Sequence, residues 1–140
     1  MSVIIEFTQI EKKNIKSENK ICGIYEVELE KINWKKGAYL NSRLISELFE
    51  DANNWGEVYF QPNKSKFLFY ILATDLESNV GIAEIEGNTI VLAFDPIPIK
   101  EFFDDAKKYT TSGVNGTFDK LLNLLNESIE NDFLICTKWG

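Results

Sequence analysis

Apolar and polar residues in the first part of the chain predict two strands separated by a loop. The first strand is Val3–Thr8. The second is Ile21–Leu29, which is rich in the β-branched and aromatic residues that strands favour. Between them, residues 11–20 (EKKNIKSENK) are polar and mildly basic, and this composition predicts a loop.

Apolar residues spaced three and four apart predict a helix that begins at Asn33-Trp34 and runs to about Ala52. They form one amphipathic face: Leu40, Leu44, Ile45, Leu48, Phe49 and Ala52. Gly37 costs about 1 kcal/mol relative to alanine inside a helix, so Ala38 is an alternative start.

The segment 56–95 predicts an antiparallel meander. Its strands are Glu57–Gln61, Lys66–Thr74, Val80–Ile85 and Thr89–Phe94. Both alternating sets of residues in Lys66–Thr74 are apolar, which predicts a central strand that is covered on both faces. Gly87-Asn88 suits a two-residue primed turn between the last two strands, and Asp95-Pro96 ends the hairpin.

Two further helices follow the meander. One runs from Pro98 to about Lys108 and buries Phe102 and Phe103, with proline at a first helical position. The other runs from Thr117, whose hydroxyl can cap the helix, to about Ile129. Its apolar face consists of Phe118, Leu121, Leu122, Leu124, Leu125 and Ile129.

The segment Phe133–Cys136 predicts a last strand, with Trp139 beyond it. Strands and helices together predict an α+β fold: a single antiparallel β-sheet of five to seven strands with about three helices packed on it. The chain of 140 residues suits one globular domain over residues 1–140.

The negative charge of the chain is concentrated in one segment. Residues 75–105 hold eight acids and one base, Lys100, and so contribute the whole formal net charge of −7. Phosphate groups bind Lys and Arg, so direct binding of nucleic acid is disfavoured and a basic protein partner is favoured. The alternative is that these acids form a solvated face that keeps the protein in solution.

The sequence contains no recognisable catalytic motif. It has no histidine, which is the commonest general base and transition-metal ligand. Adjacent carboxylates such as Asp104-Asp105 and Glu50-Asp51 do not face one another on a helix. Gly113–Gly116 has the GxxG spacing of an anion-binding loop, although ordinary loop geometry is the simpler interpretation. We therefore expect a binding protein without enzymatic activity, cofactor or metal.

Location and redox state follow from two further features. The first ten residues do not resemble a signal peptide, and no stretch approaches the roughly 20 apolar residues of a transmembrane helix. We therefore expect a cytoplasmic protein with no membrane contact. Cys22 and Cys136 have no metal-ligand spacing, and we expect both to be buried apolar residues; a disulfide between them is the alternative.

Most aromatic residues lie in apolar strands or on amphipathic helices, where they are expected to pack in the core. Trp55 is different because it lies in the polar segment Asn53-Asn54-Trp55-Gly56. Exposed tryptophan often anchors an interface. The alternative role for Trp55 is to cover the helix–sheet core.

The order of several segments resembles the immunity proteins of bacterial contact-dependent growth inhibition systems. The similar segments are YEVEL at 25–29, Trp34, a helix with Tyr39, Ser42, Leu44 and Leu48, then KSKFLFYILATDL and GNTIVLAFDP. The resemblance covers residues from about 21 to 130 and is greatest to the branch whose toxin is a nuclease that cuts ribosomal RNA. It implies a cytoplasmic inhibitor that binds the basic C-terminal nuclease domain of a secreted exoprotein.

The charge distribution and the resemblance favour the same hypothesis, a toxin-neutralising immunity protein. The alternative is a phage or adaptor-type protein that binds another basic partner. The predicted toxin-binding residues are Asp75, Glu77, Asp95, Glu101, Asp104 and Asp105, with Glu47, Glu50, Asp51 and Trp55 as a second group.

Overall fold

A computed structural model of the protein describes residues 4–13, 15–19, 24–41, 82–109 and 116–139. Within these ranges the chain forms seven strands, two α-helices and one short 3-10 turn at Leu29–Lys31. The strands are β1 Ile4–Ile10, β2 Ile15–Asn19, β3 Ile24–Glu28, β4 Trp34–Asn41, β5 Ile82–Ile85, β6 Asn88–Phe94 and β7 Leu134–Trp139. The helices are α1 Pro96–Tyr109 and α2 Asp119–Glu130.

All seven strands belong to one antiparallel sheet. Six of them follow the order β2-β3-β6-β7-β1-β4, and β5 also pairs with β6. Strand β3 occupies one edge of β6 over residues 90–94, so β5 and β7 must share the other edge. The sheet and its helices confirm the predicted α+β class.

Both helices pack on one face of the sheet through a cluster of aromatic and aliphatic side chains. Phe103 is fully buried and lies edge-on to Phe7 of β1 and to Phe102, with ring centroids 5.9 Å and 5.4 Å away. Phe118, which precedes α2, lies 5.4 Å from the Phe103 ring. The leucines of α2 at 121, 122, 124 and 125 complete this core. The predicted burial of Phe102, Phe103 and these leucines is confirmed.

The opposite face of the sheet is also buried. Its buried residues are Ile10, Tyr25, Val27, Val91, Ala93, Leu134 and Cys136. The thiol of Cys136 is free, donates to the Leu92 carbonyl at 3.7 Å, and has a pKa raised by burial to about 12. The predicted apolar role of Cys136 is confirmed and the alternative disulfide is wrong, while Cys22 lies outside the described residues.

The predicted helix from Asn33-Trp34 is wrong over residues 34–41, which form strand β4. These residues pair with β1, and Ala38 and Leu40 face the helices and join the core. Gly37 was a signal against the helix, because glycine is a poor helix former. Pairing with β1 therefore overrides the local helical spacing, as tertiary contacts commonly do. The rest of the predicted helix lies outside the described residues.

The predicted loop at 11–20 is also wrong in its second half. Strand β2 pairs with β3 there, with an irregularity between Ile15 and Ser17. An edge strand pairs through its main chain on one side only, so a polar sequence can form one. Apolar content is therefore a poor guide to strand formation at the edge of a sheet.

Three boundaries differ from the sequence prediction at helix and strand ends. Helix α1 begins at Pro96 rather than Pro98, because the carboxylate of Asp95 accepts the Ile97 N–H at 2.9 Å. Thr117 does not cap α2; Phe118 occupies the cap position without a side-chain hydrogen bond. The last strand extends to Trp139 instead of ending at Cys136.

The hairpin of β5 and β6 is confirmed, but its turn is displaced by one residue. Ile85 pairs with Asn88, so Glu86 and Gly87 are the two turn residues. Both have positive φ, 53° and 82°, as a primed type I′ turn requires. The predicted strands Glu57–Gln61 and Lys66–Thr74 lie outside the described residues. No helix in the described ranges is long and apolar enough to cross a bilayer.

Replacement of Phe103 by alanine should lower the free energy of unfolding by about 3–5 kcal/mol, because it leaves a cavity among three other phenylalanine rings. Urea denaturation measures the difference. Ile97→Ala on the same helix is the control, since Ile97 is 46% exposed and should cost much less. Similar losses for the two variants would contradict the packing described here.

Replacement of Gly87 by alanine should destabilise the hairpin by about 1–2 kcal/mol, because a Cβ disfavours the left-handed backbone. The cost is conformational, since no atom lies within 4 Å of the position a Cβ would take. Gly87→Asn should cost less, because asparagine tolerates this conformation. Equal urea midpoints for the alanine and asparagine variants would argue against the type I′ turn.

Candidate functional site

The predicted toxin-binding residues fall partly inside and partly outside the described structure. Glu47, Glu50, Asp51, Trp55, Asp75 and Glu77 lie outside the described residues. The other four, Asp95, Glu101, Asp104 and Asp105, lie at the start of α1 or within it. The structure describes only the backbone of Asp105.

Two of the α1 acids already have partners within the protein. Asp95 caps the helix, as described above. Asp104 forms an ion pair with Lys100, one turn earlier and the only base of the acidic segment. Glu101 is exposed and forms no ion pair with a described residue. The described part of α1 therefore presents less free negative charge than its sequence indicates.

The acidic segment is divided in space by strand β6. Glu84 and Glu86 lie at the hairpin end of this strand, and Asp95 follows its other end. Seven residues at about 3.4 Å each separate the two groups by roughly 20 Å. The eight acids of residues 75–105 thus do not form one continuous patch in the part of the chain that is described.

The hairpin end of the sheet holds a group of exposed carboxylates. Glu84 and Glu86 are exposed, and neither forms an ion pair with a described residue. Between them, Ile85 is 45% exposed. Glu30 is also exposed, and it lies at the same end of the sheet because Glu28 pairs with Ile90 directly before the 3-10 turn. We call Glu30, Glu84, Ile85 and Glu86 the hairpin-tip surface.

The hairpin-tip surface is not among the binding residues that the sequence predicts. Glu84 and Glu86 contribute to the charge of the acidic segment, and both lie beside the predicted tight turn. Glu30 lies outside the segment and reaches this end of the sheet only through the pairing of β3 with β6. The turn residues were therefore an available signal for the hairpin, whereas no local signal pointed to Glu30.

Five other acids of the described structure are paired with lysines. These pairs are Asp132 with Lys12, Glu28 with Lys31, Glu127 with Lys36, Asp119 with Lys107, and Glu11 with Lys13 and Lys35. Such pairing leaves little net field around these positions. The carboxylates of the hairpin-tip surface have no ion pair with a described residue, and among the exposed described acids the same is true of Glu101 and Glu130.

The buried polar groups of the core have structural partners. The Gln9 amide donates to the Leu124 carbonyl at 3.2 Å and to the Ser128 hydroxyl at 3.1 Å. Ser128 in turn donates to the Leu124 carbonyl at 2.7 Å. This network fastens β1 to α2. The raised pKa of Cys136 keeps its thiol protonated at neutral pH, so it is a poor nucleophile.

A small cleft lies between α1, α2 and the loop before β7. It has a volume of about 90 Å³ and includes Lys12, Asp95 and Asp132 among its lining residues. The Lys12 ammonium lies 4.9 Å from the centre of the Tyr25 ring and 3.4 Å from Asp132. Small-molecule sites usually exceed roughly 300 Å³, so this cleft suits a few water molecules rather than a substrate. Among the described residues, no group of His, Cys, Asp or Glu is arranged to hold a metal ion.

Comparisons with known proteins found no matching family model, no matching curated protein and no matching solved structure. The resemblance to immunity proteins therefore stays a prediction.

Glu11→Gln should destabilise the protein at neutral pH and have progressively less effect in acid. Ion pairs from Lys13 at 2.9 Å and Lys35 at 3.1 Å lower the pKa of the Glu11 carboxyl from 4.5 to about 2. Because this pKa is lowered on folding, the stabilisation is complete above pH 4.5 and is lost as the pH falls toward 2. Thermal melts recorded between roughly pH 2 and 7, at intervals of about one unit, measure the difference in melting temperature between the variant and the native protein.

The control for this experiment is Glu101→Gln, which removes an exposed carboxylate without an ion pair to a described residue. It should change the melting temperature little across the same range. A Glu11→Gln effect that stays constant from neutral pH to pH 2 would show that the ion pairs are not its cause.

Proposed function

We propose that this protein binds a basic protein domain and inhibits it, and that the domain is the nuclease toxin of a contact-dependent growth inhibition system. The observation that supports this most is the hairpin-tip surface. There, three exposed carboxylates without an ion pair to a described residue lie at one end of the sheet, beside the exposed side chain of Ile85. The resemblance described above supplies the identity of the toxin class.

The charge of the hairpin-tip surface suits a partner that binds RNA. A nuclease must be basic where it holds phosphates, and an acidic inhibitor can occupy the same surface. Long-range attraction between such surfaces raises association rates by roughly 10- to 1,000-fold at low salt. Inhibition then results from competition: carboxylates of the inhibitor take the place of phosphates.

The geometry of the hairpin favours it as a docking element. The type I′ turn fixes the backbone of Glu86 and Gly87, so the backbone at the tip has one conformation before binding. A preorganised backbone loses less conformational entropy when it associates. Ile85 adds exposed apolar area at the same end of the hairpin, and burying it on a partner contributes through the hydrophobic effect.

The α1 acids have a smaller part in this proposal than the sequence indicated. The charge of Asp104 is offset by its ion pair with Lys100, and the carboxylate of Asp95 caps the start of the helix. Among the acids of α1 whose side chains are described, Glu101 is exposed and forms no ion pair with a described residue. Trp55 stays a predicted interface anchor outside the described residues.

The first experiment identifies the partner. The purified protein is used as bait in a lysate of its native strain, and bound proteins are identified by mass spectrometry. The expected partner has a basic nuclease domain, and an equimolar amount of the purified protein should stop its cleavage of ribosomal RNA in isolated ribosomes. A gene for a large secreted exoprotein directly upstream supports the proposal, whereas a phage cassette or a basic partner without nuclease activity supports the phage or adaptor alternative.

Glu84→Lys/Glu86→Lys should slow association with the captured domain by about tenfold or more at low ionic strength, because the steering charge is reversed. The effect should shrink at high salt, where the Debye length falls to roughly 3 Å. Surface plasmon resonance at two salt concentrations measures both rates.

The matched control is Asp119→Lys/Glu130→Lys, which makes the same change of charge at two exposed acids of α2. It should slow association much less than the hairpin variant. Equal slowing by both double variants would indicate a general charge effect and would contradict docking through the hairpin-tip surface.

A further inference from the structure

Strand β4 forms one end of the described sheet. It pairs with β1 on one side, and no described strand lies on its other side. In an antiparallel edge strand, alternate residues direct their N–H and C=O groups away from the sheet. Such groups can pair with a further strand from another chain.

A groove of about 520 Å³ runs along this edge, between β4 and α2. Four consecutive residues of β4, 36–39, line one side, and Gly37 can do so only with main-chain atoms. The other side consists of α2 residues at three- and four-residue spacing: Lys120, Asn123, Leu124 and Glu127. The groove therefore exposes the backbone edge of a strand beside a helix face.

The lining of the groove determines what it can accept. Ala38 and Leu124 are almost fully buried and provide an apolar floor. Lys36 reaches across to Glu127 at 3.2 Å. Lys120 is exposed and forms no ion pair with a described residue. The groove therefore holds two lysines and one carboxylate, a local charge of +1 on a chain whose net charge is −7.

We propose that this groove binds an extended acidic segment of a partner protein as an added strand next to β4. The main chain of the segment pairs with β4 residues 36–39, on the side of the strand that faces away from β1, and small apolar side chains on alternate positions lie over Ala38 and Leu124. Its carboxylates contact Lys120 and compete with Glu127 for Lys36. Main-chain hydrogen bonds supply affinity in this type of recognition, and side-chain contacts supply specificity.

Charge distinguishes this occupant from a second copy of the chain. Two copies of the chain repel each other through net charges of −7 each. An acidic segment instead places opposite charges at the groove. The groove lies away from the hairpin-tip surface, because β4 lies three strands from β6 in the sheet order. The two surfaces also carry opposite charge. The two proposals can therefore succeed or fail independently.

The test is a titration of the isotope-labelled protein with a peptide of about nine residues, long enough to pair along the eight-residue strand β4. The probe is a peptide of alternating valine and glutamate, monitored by NMR. We expect chemical-shift changes at the amides of residues 36–41 and 120–127, and slower hydrogen exchange at alternate amides of β4. A peptide with lysine in place of glutamate should bind more weakly, because its charge repels the lysines of the groove. A glutamate peptide that is N-methylated at two adjacent central residues should also bind more weakly. Adjacent N–H groups of a strand point to opposite edges, so this peptide lacks a hydrogen-bond donor on whichever edge faces β4.

Lys36→Gln/Lys120→Gln should weaken binding of the glutamate peptide by about fivefold at low salt, the effect of losing two exposed charge contacts. The matched control is Lys13→Gln/Lys107→Gln, which removes two lysines from exposed ion pairs outside the groove. This variant should bind the peptide as the native protein does.

Three results would each overturn the proposal. One is the absence of shifts along β4 at millimolar peptide. Another is equal binding of the glutamate, lysine and N-methylated peptides. The third is a set of β4 amide shifts that depends on protein concentration alone, which would show that the edge pairs with a second copy of the chain.

Discussion

The packing of Phe103 between the sheet and both helices is the contact on which the described structure depends. Its ring lies against Phe102 of the same helix, Phe7 of β1 and Phe118 at the start of α2, so one side chain of α1 joins the first strand and the second helix. Buried aromatic side chains contribute large apolar areas, and edge-on ring pairs add a favourable electrostatic term. The position of α2 next to β4, and hence the groove between them, follows from this core.

The hydrogen-bond network of Gln9 and Ser128 fixes the position of α2 at the same interface. The apolar cluster holds α2 against the sheet, but apolar contacts alone tolerate sliding. The two bonds from the Gln9 amide set the position of α2 along β1. Buried polar groups with satisfied partners specify one arrangement among several of similar apolar burial. This is why a glutamine is tolerated on the core side of a central strand.

Electrostatics at the surface is governed by neighbours in space rather than in sequence. Residues 75–105 contain a single base, yet that base neutralises Asp104, and strand β6 separates the acids before it from those after it. Outside the segment, Glu127 and Asp132 contact lysines from a distant part of the chain, Lys36 and Lys12. Two surfaces of opposite sign result, the acidic hairpin tip and the mildly basic groove.

The sequence by itself determined the elements whose cause is local. Alternation and turn residues located β1, β3 and the β5–β6 hairpin, and helical spacing located α1 and α2, because these patterns reflect which face of each element is buried. The buried positions of Phe102 and Phe103 follow from the same periodicity. The acidic character of residues 75–105 is likewise a property of composition and needs no structure.

Only the tertiary structure decided the features that depend on a partner strand. Residues 34–41 combine a helix-like apolar spacing with Gly37, and pairing with β1 made them a strand. Pairing with β3 did the same for the polar residues of β2. Glu30 joined Glu84 and Glu86 only because β3 lies beside β6. The physical reason is the same in each case: hydrogen bonds between strands connect residues that are remote in sequence, and no local pattern records which strands will meet.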